Sequence, residues 1–148
     1  MEEKIIVKNV RQTSDVAEKI LREYKKYNIF LLKGELGTGK TTLVQLFAKK
    51  LGIKQKIQSP TFVLEKKYKI CKNLFNKNYN QLVHIDLYRL KKNDAIVQDF
   101  SDNFLKDNQY VFIEWPDRLG NTVPKKYLEI HLKYYKKTQR TIIIKTSK

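Results

Sequence analysis

Cysteine occurs once in the 148 residues, at Cys71, which excludes an internal disulfide and any cysteine-rich zinc site and fits a reducing compartment. Three prolines and 41% apolar residues exclude a disordered, proline-rich chain. No apolar run approaches the length needed to cross a membrane, and none follows the Met1-Glu2-Glu3-Lys4 start, so a soluble cytoplasmic protein with no membrane partner is expected. The length suits one domain with a real core, residues 1–148, and is too short for two sizeable ones. Acid is scarce: 15 Asp plus Glu stand against 31 Lys plus Arg, a net charge of +16. Such an excess attracts a polyanion through long-range field and counterion release. Lysine outnumbers arginine 26 to 5, however, and a lysine-rich solvated surface accounts for the same charge. Glycine is rare too, and three of the five glycines fall at positions 34, 37 and 39.

Those three belong to Gly34-Glu35-Leu36-Gly37-Thr38-Gly39-Lys40-Thr41, which fits the G-x-x-x-x-G-K-[ST] pattern. The apolar strand Ile29 to Leu32 precedes it, and a helix carrying Leu43, Val44, Phe47 and Ala48 follows, the context that a phosphate-binding loop requires. The glycines allow backbone N–H groups to close around phosphate oxygens where a Cβ would obstruct them. Lys40 can reach the β and γ phosphates, and the Thr41 hydroxyl is placed to ligate Mg²⁺. The helix N-terminus adds unpaired donors and the positive end of a dipole. A nucleoside triphosphate site is therefore expected, whereas the chemistry that follows is not set by this loop alone.

Elsewhere, Ile5 to Val7 reads as a strand, and Asp15 with Glu18 as a capping box for a helix ending near Tyr27. Arg11, Gln12 and Thr13 lie between these elements, where a plain connector and a base contact are both admissible. Gly52 suits a left-handed helix cap. Ser59-Pro60-Thr61 leads into a strand beginning at Phe62, and Thr61 is a candidate nucleotide-sensing hydroxyl for Mg²⁺ or the γ-phosphate. Residues 71–81 read as a loop, residues 94–106 as a helix using Ile96, Val97, Phe100, Phe104 and Leu105, and Tyr110 to Ile113 as a buried parallel strand. Alternation from Leu128 to Tyr134, then Thr141 to Lys145, predicts an antiparallel hairpin at the sheet edge, whose lysines suit RNA or a protein partner and equally guard an edge strand against aggregation.

Two carboxylates fall at strand ends, where open α/β sheets place ligand groups. Asp86 closes Leu82-Val83-His84-Ile85-Asp86, and Glu114 follows Ile113. Asp86 is favoured for the metal and Glu114 for water activation, with the exchange of roles left open. His84 shares a face with Asp86 and reads either as an aid to phosphate chemistry or as a structural histidine bonded to Asp86 or backbone. Arg89 is placed to neutralise phosphate or to pair with Asp86. Trp115 either covers the nucleotide or packs on the sheet.

Taken together, Gly34 to Thr42, Ser59-Pro60-Thr61-Phe62, His84-Ile85-Asp86-Leu87-Tyr88-Arg89 and Glu114-Trp115-Pro116-Asp117-Arg118 make the chain resemble the TsaE family, and these segments span nearly its whole length. The resemblance implies a P-loop ATPase required for tRNA threonylcarbamoyladenosine biosynthesis. Such an ATPase binds the paired transferase proteins of the TsaD and TsaB type and resets them between cycles of threonylcarbamoyl transfer to adenosine 37 of tRNA. Direct tRNA contact stays open. The same resemblance makes residues Gly34, Glu35, Leu36, Gly37, Thr38, Gly39, Lys40, Thr41 and Thr42 the ATP-binding loop. It also implies Thr41, Asp86 and Thr61 at Mg²⁺, Lys40, Asp86 and Glu114 as catalytic groups, and Trp115 beside the nucleotide or on the partner surface. Two departures stand out: Asp117 occupies a position where glutamate is common, and Lys91 to Asn108 lacks the glycine-containing, more acidic pattern of the family.

The fold expected is α/β: a single P-loop NTPase domain with a mostly parallel central sheet, flanking helices and a C-terminal antiparallel hairpin. The expected reaction is attack of water on the γ-phosphate of Mg·ATP, weak without partners. A small-molecule kinase is the first alternative, although residues 91–108 lack an arginine-rich lid. A GTP switch lacks its guanine-reading Asn-Lys-x-Asp segment, since Asn76-Lys77-Asn78-Tyr79 has no aspartate. A nucleotide-sensing binding module with incidental hydrolysis is the alternative from outside the enzymes.

Overall fold

The computed structural model describes residues 1–101, 104 and 106–147. Its frame is a seven-stranded sheet built from β1 (Glu2–Val7), β2 (Ile29–Lys33), β3 (Glu65–Lys69), β4 (Gln81–Asp86), β5 (Gln109–Glu114), β6 (Leu128–Lys136) and β7 (Gln139–Thr146), in the order β1-β7-β6-β2-β5-β4-β3. Strand β2 pairs in parallel with both β5 and β6, and β5 pairs in parallel with β4, so the centre is parallel and the flanks are antiparallel. The apolar run Ile29 to Leu32 is buried throughout, as a strand covered on both faces must be.

Helices α1 (Val10–Glu23) and α2 (Lys40–Lys50) cover one face of the sheet; α3 (Ile96–Ser101) and a 3-10 segment, Pro116–Thr122, lie over the other. On the α2 side, Phe30 stacks on Phe112 at 4.6 Å, and Phe47 meets Phe112 at 4.8 Å. These rings tie α2 to β2 and β5, and thereby hold the loop between β2 and α2 over the strand ends.

Several boundaries differ from the sequence expectations. Helix α1 starts at Val10 rather than after Asp15: the Asn9 side chain accepts from Gln12 N at 2.9 Å, and Gln12 Oε1 accepts from Lys8 N at 2.7 Å. The earlier Asn-x-x-Gln cap adds turns of backbone hydrogen bonding, and Glu18 instead pairs with Arg22 and Lys50. The helix ends at Glu23, short of Tyr27. Gly52 caps α2 as expected, with φ at 76° and bonds from Gly52 N to Lys49 O and from Ile53 N to Ala48 O.

The strand after Pro60 begins at Glu65, not Phe62. Residues 61–64 form a turn in which Leu64 N donates to Pro60 O at 2.6 Å and Leu64 has a positive φ of 66°, leaving Phe62 and Val63 exposed. Helix α3 is shorter than 94–106; Val97 and Phe100 are buried, Ile96 is exposed, and Leu105 lies outside the described residues. The C-terminal hairpin is present, yet it is not the edge. Strand β6 pairs with β2, and β1 covers β7. Its alternation arises because Leu128, Ile130 and Leu132 face the helix-covered core while Glu129 and His131 lie on the thinly covered face.

Candidate nucleotide and metal site

The loop between β2 and α2 is held open by its glycines. Gly34 has φ 146°, and a Cβ there would lie 2.5 Å from Leu132 O and 2.6 Å from Thr38 Oγ1. Gly39 caps α2 at φ 105° without a side-chain hydrogen bond, so the first-turn N–H groups are left for a ligand. Lys40 Nζ donates to Gly34 O at 2.8 Å and Glu35 O at 2.9 Å, and Thr38 Oγ1 donates to Glu35 O at 2.8 Å. Burial pushes the Lys40 ammonium below its ordinary lysine value, against the opposing pull of Glu114 and Asp86.

The hairpin, distant in sequence, braces this loop from outside. Tyr134 Oη donates to Leu36 O at 3.3 Å, Arg140 Nε donates to Thr38 O at 3.3 Å, and the Arg140 guanidinium lies 4.4 Å from the Tyr134 ring centre. Leu36 itself projects into solvent, and Glu35 and Thr42 are exposed.

Parallel pairing puts Asp86 beside Glu114 at the ends of β4 and β5. Thr41 Oγ1 donates to Glu114 Oε1 at 2.8 Å, and the same oxygen is bonded by His84 Nε2 at 2.8 Å. Histidine 84 therefore bonds Glu114, not Asp86, although strand alternation places His84 and Asp86 on one face of β4. Asp86 holds a different set of donors. Its Oδ2 accepts from Thr61 Oγ1 at 2.9 Å and Ser59 Oγ at 3.2 Å, and its Oδ1 accepts from Tyr88 N at 2.9 Å. Arg89 does not pair with Asp86 among the described residues; its guanidinium covers the Phe62 ring at 4.0 Å. Trp115 lies over Lys40 and beside Tyr88 rather than deep in the sheet.

The oxygen donors Thr41, Asp86 and Glu114 suit a hard cation. Among the described residues no group of three or more His, Cys, Asp or Glu side chains converges as a metal cage. A partial shell of this kind fits Mg²⁺, which keeps waters and takes phosphate oxygens as further ligands.

Two clefts meet at the loop. One, of about 260 Å³, is lined by Lys40, Thr41, Thr61, Asp86, Glu114 and Trp115, with Ser59 and Tyr88 at its side. The other, of about 390 Å³ and more apolar, lies between the loop, the start of α1 and the hairpin, with Asn9, Val10, Thr13, Thr138 and Arg140 in its wall. Gly37, Gly39 and Thr42 line both. Arg11, Gln12 and Thr13 all lie within α1 rather than in a connector before it, and of the three Thr13 lines this cleft. Asn9, Thr138 and Arg140 escaped the sequence reading; the one available signal was an arginine in a hairpin otherwise supplied with lysines.

Comparison with known proteins agrees with this arrangement. The family model "Threonylcarbamoyl adenosine biosynthesis protein TsaE" matches residues 7–142. The tRNA threonylcarbamoyladenosine biosynthesis protein TsaE of Aquifex aeolicus is 34% identical over 116 residues, 77% of each chain. The Rickettsia felis protein of the same description is 30% identical over 144 residues, 97% of this chain and 80% of its own. The crystal structure of YdiB from Bacillus subtilis superposes with a TM-score of 0.74 at 25% identity, covering 99% of this chain and 86% of that one. The chain belongs to the TsaE family, whose members are tRNA threonylcarbamoyladenosine biosynthesis proteins.

Proposed function

We propose that the chain is a single P-loop ATPase domain, residues 1–148, that hydrolyses Mg·ATP to support threonylcarbamoylation of adenosine 37 in tRNA. It would do so in the cytoplasm by binding and resetting a transferase pair of the TsaD and TsaB type. The observation that carries the ATPase reading is the continuity of the two clefts across Gly37, Gly39 and Thr42. A ligand with an apolar ring at one end and charged phosphates at the other spans such a pair. The larger cleft suits the adenine and ribose, and the smaller the phosphates and metal.

In this reading Lys40 leaves the Gly34 and Glu35 carbonyls for the β and γ phosphates, and the loop N–H groups hold their oxygens. Mg²⁺, held by the Thr41 hydroxyl and by Asp86 directly or through water, would offset charge developing on the phosphates. Thr61 reports on that metal through its bond to Asp86. Glu114 orients the attacking water and takes its proton. A second reading exchanges the carboxylates, and the Thr41–Glu114 bond favours it, because a carboxylate that holds the metal-binding hydroxyl stands close to the metal.

Phosphate release by the purified chain, alone and with the two transferase proteins and tRNA, tests the proposal. Turnover that rises in the complex and disappears in Glu114→Ala is the expected result. Failure to bind the pair, with phosphate transferred to an added metabolite, would replace it with a kinase.

A further inference from the structure

Histidine 84 is fully buried in β4, on the face that carries Leu82 and, opposite it on β5, Phe112, both apolar and also buried. A buried imidazole carries a desolvation cost that an apolar residue of similar size would not, unless its polar atoms are used. One of them is used: Nε2 bonds Glu114 Oε1 at 2.8 Å. The other, Nδ1, has no hydrogen-bond partner among the described residues.

That asymmetry selects a tautomer. A proton on Nδ1 would be a buried donor without an acceptor, and it would leave the bare Nε2 lone pair facing a carboxylate oxygen. A proton on Nε2 makes the bond and leaves Nδ1 as an unprotonated acceptor, the smaller penalty.

Glu114 needs such a fixed donor. The terminal torsion of a glutamate is broad, so a carboxylate held by one flexible partner swings. Thr41 is a rotating hydroxyl, and in the proposed ATPase cycle its oxygen is engaged by the metal. His84 has no comparable freedom, because β4 is paired on both sides, with Lys66 of β3 and Phe112 of β5 opposite the histidine. Both donors converge on Oε1. Oε2 is therefore the oxygen available to a water or metal.

We propose that His84 is the positioning residue of the site: its buried Nε2–H fixes Oε1 of Glu114 and so aims Oε2 at the reacting water or metal shell. This rests on the ATPase reading above. His84 touches neither nucleotide nor phosphate, and it acts only through Glu114.

The test compares His84→Leu, which keeps bulk and loses the donor, with His84→Gln, whose terminal amide can reach the position of Nε2. Each variant, with the parent, is assayed for nucleotide affinity, for kcat and KM in the presence of the partner proteins, and for thermal unfolding. The expected result is a kcat lower by about 10- to 100-fold in His84→Leu, the range for loss of an outer-shell partner, with nucleotide affinity retained and most of the rate recovered in His84→Gln. Nitrogen NMR of the parent should show His84 protonated at Nε2 and bare at Nδ1, with the Nε2 signal moved by Glu114→Gln. A His84→Leu protein that turns over like the parent, an Nδ1-protonated ring, or a loss of kcat that follows lost folding and is not rescued by glutamine would overturn the inference alone. A parent that binds nucleotide but never hydrolyses it, with or without partners, would overturn the proposed function and this inference with it.

Discussion

The Lys40 ammonium lies 4.4 Å from the centre of the Trp115 ring while donating to the carbonyls of Gly34 and Glu35. The tryptophan reaches this position with a left-handed backbone, φ 59°, immediately after Glu114. A non-glycine residue in that region carries strain of order 1 kcal/mol or more, offset here by the packing of the ring against Lys40 and Tyr88.

Since Trp115 is the chain's only tryptophan, its fluorescence reports on Lys40. Mg·ATP should draw the ammonium toward phosphate and change the emission, and Lys40→Met should abolish both the change and the binding. The same variant should melt at or above the parent temperature. Burial holds the folded pKa of Lys40 below the unfolded 10.5, so the charged form opposes folding at neutral pH, and that cost fades as pH rises from the lowered folded value toward 10.5. A Lys40→Met protein with a markedly lower melting temperature would contradict this account.

Gly34→Ala should destabilise the fold by at least about 2 kcal/mol, because its Cβ would press on the backbone of β6, which is paired on both sides and cannot yield. Gly52→Ala, whose Cβ would meet Lys72 O at 3.4 Å, should cost less and leave nucleotide affinity unchanged. Urea unfolding and nucleotide titration of the two variants check both statements; equal losses would refute them.

The roles of the two carboxylates separate by metal titration. Asp86→Asn should raise the Mg²⁺ concentration needed for half-maximal turnover, whereas Glu114→Gln should lower kcat at saturating Mg²⁺ by about 100-fold or more. The reverse pattern would assign the metal to Glu114 and the water to Asp86.

At the other end of the sheet, Glu3 bonds Lys19 and Tyr24 and ties β1 to α1. The bond from Lys19 holds the Glu3 pKa below its ordinary 4.5, and the bond to Glu3 holds Lys19 above 10.5. The contribution is therefore fully present between 4.5 and 10.5. It is lost as pH falls through the lowered Glu3 value or rises through the raised Lys19 value. Glu3→Gln should cost up to about 1 kcal/mol at pH 7 in low salt, a difference that closes in acid and shrinks in high salt. A difference in melting temperature that persists in strong acid would assign the effect to packing instead.

Local pattern was enough for much of the molecule. The glycine loop, its preceding buried strand and the helix with its Gly52 cap follow from short-range chemistry, since each depends on residues within a few positions of one another. The same holds for the existence of Asp86 and Glu114 at strand ends, because an apolar strand that stops at an acid announces its own terminus. Helix boundaries were less legible: Asn9 with Gln12 and Asp15 with Glu18 both satisfy the capping pattern, and which one caps depends on how much of α1 can pack on the sheet.

What the chain alone determined is thus the set of groups available for phosphate and metal, because the loop that presents Gly34 to Thr42 is built from neighbours in sequence. Only the tertiary structure decided how those groups are shared. Alternation along Leu128 to Tyr134 reports that one face is covered, and says nothing about which strands lie alongside, so the hairpin's place beside β2 and its hold on the loop through Tyr134 and Arg140 were hidden. Likewise, parallel strands β4 and β5 are joined by a long crossover, and their register, not their sequences, brings His84 within reach of Glu114, while the packing of α2 brings Thr41 to Glu114 and the turn before β3 brings Thr61 to Asp86.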